Sequence, residues 1–215
     1  MNTPKYLLQN VKNYPNEAAL SIKDVSGNWQ TDSWSELYSS VLSVSRSLLA
    51  YGIVKNDKVS IYSYNRKEWN ISYLATQLVN GVAVGVYHTC SSNEVEWIVG
   101  NSESKIIFLG NNPNDNGEKE KMPNHRLLEV LDRLPKVELV VAMNDVEVFE
   151  HPKIISWDEF IKKGDSVDEK DVLNHCEQIQ DKDTSSLINI SVISFITSGF
   201  LKSGLSLPYL SIASL

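Results

Sequence analysis

The chain has 215 residues, a net charge of −7 and a hydrophobic content of 42%. That length is enough for one α/β domain with a sizeable core. Because the balance is acidic and the basic residues are scattered, a nucleic-acid backbone is excluded as the main partner.

Cysteine and histidine residues are few and dispersed. The two cysteines, Cys90 and Cys176, lie far apart, and no CxxC pair or Cys/His cluster indicates a metal site. The adjacent His175 and Cys176 give little support for a metal or catalytic role. The N-terminus lacks the basic and then apolar pattern of a secretory signal, so we expect a reduced, cytoplasmic protein that is at most peripheral to membranes.

The first strong element is a helix over residues 33–52. Ser33 and Glu36 have the spacing of a capping box, and Gly52 is placed to end the helix in the left-handed conformation. One broad apolar face contains Trp34, Leu37, Tyr38, Val41, Leu48 and Leu49. A strand follows over residues 57–64, with Val59 and Ile61 on one face.

A second helix is predicted from about Arg66 to Asn80, with Asn65 as its cap and Gly81 as its stop. The almost wholly apolar run 82–87 is typical of a strand that is covered on both faces, as in a parallel sheet. Ser91 and Glu94 form another capping box at the start of the next helix. Residues 105–110 predict the next buried strand.

The alternation continues to the end of the acidic part of the chain. Residues 111–123 are a polar loop by composition, followed by a helix over 124–134, a strand over 137–143 and a short helix over 156–164. Residues 164–183 are polar and are expected to be helical in part, then extended. The succession predicts an α/β fold with a doubly wound, largely parallel sheet and flanking helices.

Packing explains the tryptophans and two of the glycines better than ligand binding does. The five tryptophans, Trp29, Trp34, Trp69, Trp97 and Trp157, are expected mainly to pack rather than to contact a ligand. Gly81 and Gly85 lack the spacing of a nucleotide turn and are expected to permit close helix–sheet packing. Residues 87–90 follow a predicted strand, where α/β sheets tend to place ligands, so they are a candidate site edge.

Several segments of the chain carry a family resemblance through their order and spacing. They are YPNEAAL, GNWQTDSWSEL, LLAYGIVKNDKVSIYSYNRKEW, GVAVGVYHTCSSNEVEWIVGNSESKIIF and DTSSLI. Together they resemble the N-terminal part of the AMP-forming long-chain fatty-acid–CoA ligases of the adenylate-forming superfamily, over residues 7–188. The resemblance implies the partial N-terminal subdomain of that fold, with ATP, Mg²⁺ and CoA as cofactors and a fatty acid as substrate.

The family's phosphate-binding loop, which resembles Y-T-S-G-T-T-G-x-P-K-G, is expected directly after Ile188. Asn189 stands where its Tyr is expected, and a T-S-G triplet begins only eight residues after Asn189, at Thr197, Ser198 and Gly199. The degenerate remnant is Thr197, Ser198, Gly199 and Lys202. Large side chains at Phe200 and Leu201 then obstruct the close approach of backbone amides that a phosphate needs. The alternative is a chance T-S-G within a Ser-rich stretch.

The composition changes abruptly in the same region. From Thr184 onward there are 32 residues, and Lys202 is the only charged one. We therefore divide the chain into an incomplete subdomain over 1–188 and a divergent, Ser-rich, apolar tail over 189–215. A frame error, a retained intron and an alternative exon all remain open as its origin.

Three hypotheses about the function follow from the sequence. The chain is a ligase fragment that is inactive alone and binds none of the family's cofactors, or a truncated isoform that binds a partner through an unpaired sheet edge, or a membrane-tethered domain. The uncharged run 184–201 nears the length of a membrane span, but Asn189, Gly199 and many serines argue against one.

Overall fold

The structure is a computed structural model that describes residues 2–24, 26–111, 121–143, 146 and 150–188. Its helices are α1 (Thr3–Asn13), α2 (Trp34–Ala50), α3 (Lys67–Leu78), α4 (Ser92–Ser102), α5 (Pro123–Leu128), α6 (Trp157–Lys163) and α7 (Glu169–Glu177). Its strands are β1 (Ala18–Lys23), β2 (Trp29–Ser33), β3 (Lys58–Ser63), β4 (Val82–Tyr87), β5 (Ile106–Leu109), β6 (Leu139–Ala142), β7 (Ile154–Ser156) and β8 (Ser186–Ile188).

Six strands form one sheet in the order β7-β6-β5-β3-β4-β8. Every neighbouring pair in it is parallel. The chain passes from β3 through α3 to β4 on one side, and then through α4 to β5 on the other side of β3. This reversal is the doubly wound pattern, so the predicted α/β class with a parallel sheet and flanking helices is confirmed.

Helices cover both faces of the sheet. On one face, called here the α2 face, helices α1, α2, α3, α6 and α7 pack around Val59 and Ile61 of β3 and Phe108 of β5. On the other, called here the α4 face, α4 and α5 pack around Val84 and Ile107. Strands β5 and β6 are covered on both faces, and each of their residues is apolar and buried. In β4, the run 82–87 for which such cover was predicted, Val82, Ala83, Val84 and Val86 are buried and Tyr87 is exposed.

Local sequence signals define the ends of two helices. Both predicted capping boxes are present: the Ser33 hydroxyl accepts from the Glu36 N–H while the Glu36 carboxylate accepts from the Ser33 N–H at 2.8 Å. Ser91 and Glu94 repeat this arrangement at α4. Gly52 has a φ of 78°, in the left-handed region predicted for it.

Helix α3 differs from the prediction at both ends. Its N-cap is Arg66, which makes no side-chain capping bond, so the predicted cap by Asn65 is wrong. The left-handed residue at the other end is Asn80, with a φ of 63°, rather than Gly81. The close packing predicted at Gly81 is confirmed, since a Cβ there would lie 3.1 Å from the Thr76 carbonyl oxygen.

The helix predicted over 124–134 is shorter than expected. Helix α5 stops at Leu128, and a 3-10 turn over Leu131–Arg133 follows. The tighter turn keeps Leu131 and Leu134 in the core, where both are almost fully buried. In the predicted loop 111–123, residues 112–120 lie outside the described part of the chain.

The predicted close packing is not found at three residues. Trp29 and Trp97 are 65% and 60% exposed, because they lie on outward positions of β2 and α4. The other three tryptophans pack against the core of the α2 face, as expected: Trp34, Trp69 and Trp157. Gly85 does not permit a close contact, since no atom lies within 4 Å of the position its Cβ would take.

Some elements have no counterpart in the sequence prediction. They are α1, the antiparallel hairpin β1–β2 and the short strand β7. Over the residues that the structure describes, no helix combines the length and the apolar content that crossing a membrane requires.

Candidate functional site

The carboxyl ends of the parallel strands meet at one edge of the sheet, which is the candidate site. After β3 the chain turns to α3 on the α2 face, whereas after β4 and β5 it turns to α4 and α5 on the α4 face. Loops that leave neighbouring strands toward opposite faces open a crevice between them, and α/β proteins bind ligands there. The crevice lies at the end of β3, beside Tyr64.

The floor of this crevice is closely packed. The Gly110 N–H, just after β5, donates to the Tyr62 carbonyl oxygen at 3.0 Å. A Cβ at Gly110 would overlap the Ser63 hydroxyl and lie 2.8 Å from the Met143 sulfur. A side chain at this position would require the Ser63 and Met143 side chains to move, so the ends of β3 and β5 form a closely packed base.

The loop after β4 forms one wall of the site, and two side chains from other elements hold it. The Tyr62 hydroxyl donates to the Cys90 carbonyl oxygen at 3.1 Å. The Arg126 guanidinium, from α5, donates to the same oxygen at 2.9 Å and to the His88 carbonyl oxygen at 3.5 Å. The His88 ring meets the Tyr64 ring edge-on at 5.3 Å. Residues 87–90 therefore lie at the carboxyl edge as predicted; their role in a site stays a prediction.

The Cys90 thiol in this loop and the Tyr62 hydroxyl that supports it are poor nucleophiles. Burial raises the pKa of the Cys90 thiol, so the reactive thiolate is scarce at neutral pH. Burial also raises the pKa of the Tyr62 hydroxyl, which stays a hydrogen-bond donor. Both groups stabilise the loop rather than carry out chemistry.

Strand β8 brings the end of the described chain to the same edge. The Ala83 N–H donates to the Ser185 carbonyl oxygen at 3.1 Å, and Lys55 pairs with Asp183 at 2.7 Å. The hydrogen bond from Lys55 lowers the pKa of Asp183, so this carboxylate is ionised at neutral pH. Ile188, the last residue of β8, lies in register with Gly85 of β4.

The residues predicted from the degenerate phosphate loop are not among those described. Thr197, Ser198, Gly199 and Lys202 all lie outside the described ranges, and so does the rest of the tail over 189–215. In the part of the chain that is described, no group of three or more His, Cys, Asp or Glu side chains is arranged to hold a metal ion. The described residues supply a frame for the site.

The sequence profile of the AMP-binding enzymes matches residues 7–188, from α1 to the last residue of β8. The chain belongs to the AMP-binding enzyme family. The match covers the same residues as the resemblance noted from sequence and ends where β8 reaches the carboxyl edge.

Curated relatives of this AMP-binding chain are long-chain acyl-CoA synthetases. Long-chain-fatty-acid–CoA ligase ACSBG2 of Xenopus laevis is 24% identical over 74% of this chain and 20% of its own length. Long chain acyl-CoA synthetase 5 of Arabidopsis thaliana is 29% identical over 72% of this chain and 24% of its own length. The chain thus spans about a quarter of the length of the curated relatives it matches.

Solved structures show that the fold is shared with adenylate-forming CoA ligases. A coronafacic acid ligase from Pectobacterium brasiliense aligns with a TM-score of 0.68 and 18% identity, over 87% of this chain and 33% of that one. The anthranilate CoA ligase AuaEII, in complex with anthranoyl-AMP, aligns with a TM-score of 0.61 and 16% identity, over 75% of this chain and 28% of that one.

Two residues of the AMP-binding chain that shape the edge were missed from sequence. In the sequence, Arg126 is one polar position of a predicted helix, and Tyr62 is one position of a predicted strand. Their shared acceptor, Cys90, is 36 residues from Arg126 and 28 from Tyr62. Partners this far apart in the sequence leave no local sequence pattern. Only the order of the strands in the sheet shows that their elements meet.

Proposed function

We propose that residues 7–188 are the first sheet-bearing subdomain of an AMP-forming long-chain fatty-acid–CoA ligase. In that reaction a fatty-acid carboxylate attacks the α-phosphate of ATP and pyrophosphate leaves; the thiol of CoA then takes the acyl group and AMP leaves. The observation that carries the proposal is the family match, which runs to Ile188 at the carboxyl edge.

The role we assign to this subdomain is positioning. Transfer at a phosphate needs aligned reactants and fixed donors more than covalent help from the protein. The bonds from Ala83 to Ser185 and from Lys55 to Asp183 fix the direction in which the chain enters the next segment. Tyr62 and Arg126 hold the neighbouring loop. Binding of ATP, Mg²⁺, CoA and the fatty acid is inferred from the family alone.

We further propose that the 215-residue chain does not complete the reaction by itself. Two observations support this. The chain spans about a quarter of the length of its curated relatives. Its sequence after Ile188 places Phe200 and Leu201 where a phosphate loop needs small residues.

A pair of chimeras tests the proposed function. In the first, residues 7–188 replace the matching segment of the Arabidopsis thaliana synthetase 5, and we expect fatty-acid-dependent formation of acyl-CoA at a reduced rate. In the second, residues 189–202 of this chain also replace the synthetase's loop, and we expect that activity to be lost. A first chimera that unfolds cooperatively but forms no acyl-CoA would contradict the proposal for residues 7–188.

A second candidate role, the binding of a partner through the edge of β8, has one supporting observation. In the described sheet β8 is the last strand, and Ile188 is 71% exposed. An unpaired strand edge is a template for another chain. Co-precipitation with a full-length synthetase tests this role; loss of the complex on Ile188→Pro, which removes an edge donor, would support it.

A further inference from the structure

An open pocket with a volume of about 230 Å³ lies between α1, β1, α2 and α3. It shares no residue with the candidate site at the carboxyl edge. Leucines from three helices form its apolar lining, Leu7, Leu37 and Leu74, and the first two are buried. Tyr6 and Trp34 add two aromatic side chains. Its ten lining residues are all uncharged, in a chain whose net charge is −7, so the pocket suits a neutral and largely apolar molecule.

A β-bulge in β1 brings two consecutive residues to this pocket. Ala18 is in register with Ser33 and Leu20 with Asp32, so Ala19 is the extra residue of the strand. Neighbouring side chains of a regular strand point to opposite faces, yet Ala19 and Leu20 both line the pocket and both pack against the core of the α2 face. Bulges change the direction of side chains in this way beside functional sites. The small side chain of Ala19 leaves open a volume that a larger residue would fill.

One amide gives the pocket a fixed polar group. Asn70 lines the pocket, and its Nδ2 donates to the Arg66 carbonyl oxygen at 3.2 Å. That bond sets the orientation of the amide and leaves its Oδ1 as a hydrogen-bond acceptor. An acceptor in an apolar surrounding selects a ligand that carries a donor, such as a hydroxyl.

We propose that this pocket binds a neutral phenol, that is, a single aromatic ring with a hydroxyl group. An apolar cavity of about 150 Å³ holds one benzene ring, so the larger volume here has room for the hydroxyl and a small substituent. Tyr6 and Trp34 favour a ring over an alkyl chain, because aromatic pairs are more stable than their buried area alone would make them. The hydroxyl donates to the Asn70 Oδ1. An anion is disfavoured, because the lining contains no cation to offset its desolvation.

A titration of the 215-residue chain with p-cresol, followed by the NMR signals of the ligand, tests the proposal. We expect saturable binding with a Kd of about 1 mM or lower, as a well-placed ligand of this size allows. Toluene differs from p-cresol only by the hydroxyl and should bind about tenfold more weakly, because the bond to Asn70 is lost. Tighter binding of 1-octanol or of benzoate than of p-cresol would overturn the assignment of a neutral phenol.

Two pairs of variants locate the ligand. Ala19→Phe fills the pocket, and its control is Ala18→Phe, at the exposed neighbouring residue of the same strand. Tyr6→Ala removes one aromatic side chain of the pocket, and its control is Tyr14→Ala, at a similarly exposed tyrosine that does not line it. We expect Ala19→Phe to abolish p-cresol binding and Tyr6→Ala to weaken it about fivefold, whereas both controls bind like the wild type.

Cooperative unfolding in urea shows which of these variants are folded. Tyr6 is 54% exposed, so Tyr6→Ala keeps the test decisive even where Ala19→Phe does not fold. A wild-type chain without saturable p-cresol binding would overturn the proposal. Unchanged binding by Tyr6→Ala, or by a folded Ala19→Phe, would place the ligand elsewhere and overturn it as well.

Discussion

A methyl group at Gly110 has no room, and this makes the residue a sensitive probe of the candidate site. The Cβ would overlap the Ser63 hydroxyl and crowd the Met143 sulfur. We expect Gly110→Ala to lower the free energy of unfolding by about 1–3 kcal/mol, as overpacking of a core does. Urea denaturation monitored by tryptophan fluorescence measures the change.

The matched control for this substitution is Gly100→Ala in α4. A Cβ at Gly100 meets only Leu134, at an ordinary 3.6 Å. Because alanine is the better helix former, Gly100→Ala should raise the free energy of unfolding by about 0.5–1 kcal/mol. Equal changes in the free energy of unfolding for the two substitutions would contradict the close packing around Gly110.

Because of Tyr62, the free energy of unfolding is expected to depend on pH in the alkaline range. Burial raises the pKa of its hydroxyl above 10 in the folded state, so the folded chain holds this proton more tightly than the unfolded chain. The resulting stability is fully present below pH ~10 and is lost as the pH rises further, because the unfolded state then binds fewer protons. We expect the free energy of unfolding of the wild type to fall more steeply above that pH than that of Tyr62→Phe. Parallel slopes would contradict the assignment.

At the scale of single elements, the start of α2 depends on one serine. The Ser33 hydroxyl accepts the Glu36 N–H, and the Ser33 N–H lowers the pKa of the Glu36 carboxylate by donating to it. Ser33→Ala should cost about 0.5–2 kcal/mol in the free energy of unfolding. Ser40→Ala, inside the same helix, removes a bond to the Glu36 carbonyl oxygen and should be near neutral. Chemical denaturation of both variants checks this; a loss for Ser33→Ala no larger than that for Ser40→Ala would contradict the role assigned to the cap.

Elements with signals close together in sequence could be predicted, and others could not. The capping boxes of α2 and α4 were found because each consists of two residues three apart. The hairpin β1–β2 was missed because its side chains are largely exposed, so no buried run marks it. Its turn is fixed by Asp24, whose carboxylate accepts from the Ser26 and Asn28 N–H groups at 2.9 Å. Asp24 and Gly27, whose φ is 83°, were the sequence signals from which this turn could have been predicted.

The candidate site shows the same limit. The sequence placed residues 87–90 after a strand and so at the carboxyl edge, which the structure confirms. It could not place Arg126 against Cys90, because that contact depends on the order of strands in the sheet. The four residues predicted for phosphate binding lie outside the described part and stay a prediction: Thr197, Ser198, Gly199 and Lys202.

At the scale of the whole molecule, the framework of the fold and the expected phosphate-binding groups belong to different parts of the sequence. The frame is the six-stranded parallel sheet that carries the family match over residues 7–188. The reaction needs donors to the phosphates of ATP, and the sequence that follows Ile188 departs from the loop that provides them.

Pyrophosphate release by the purified 215-residue chain tests this central claim most directly. The assay contains ATP, Mg²⁺, CoA and a long-chain fatty acid, and the Arabidopsis thaliana synthetase 5 is measured in parallel as the active control. The account predicts a rate for this chain that equals the blank without protein. A rate above the blank that saturates with the fatty acid and disappears when it is omitted would contradict the account.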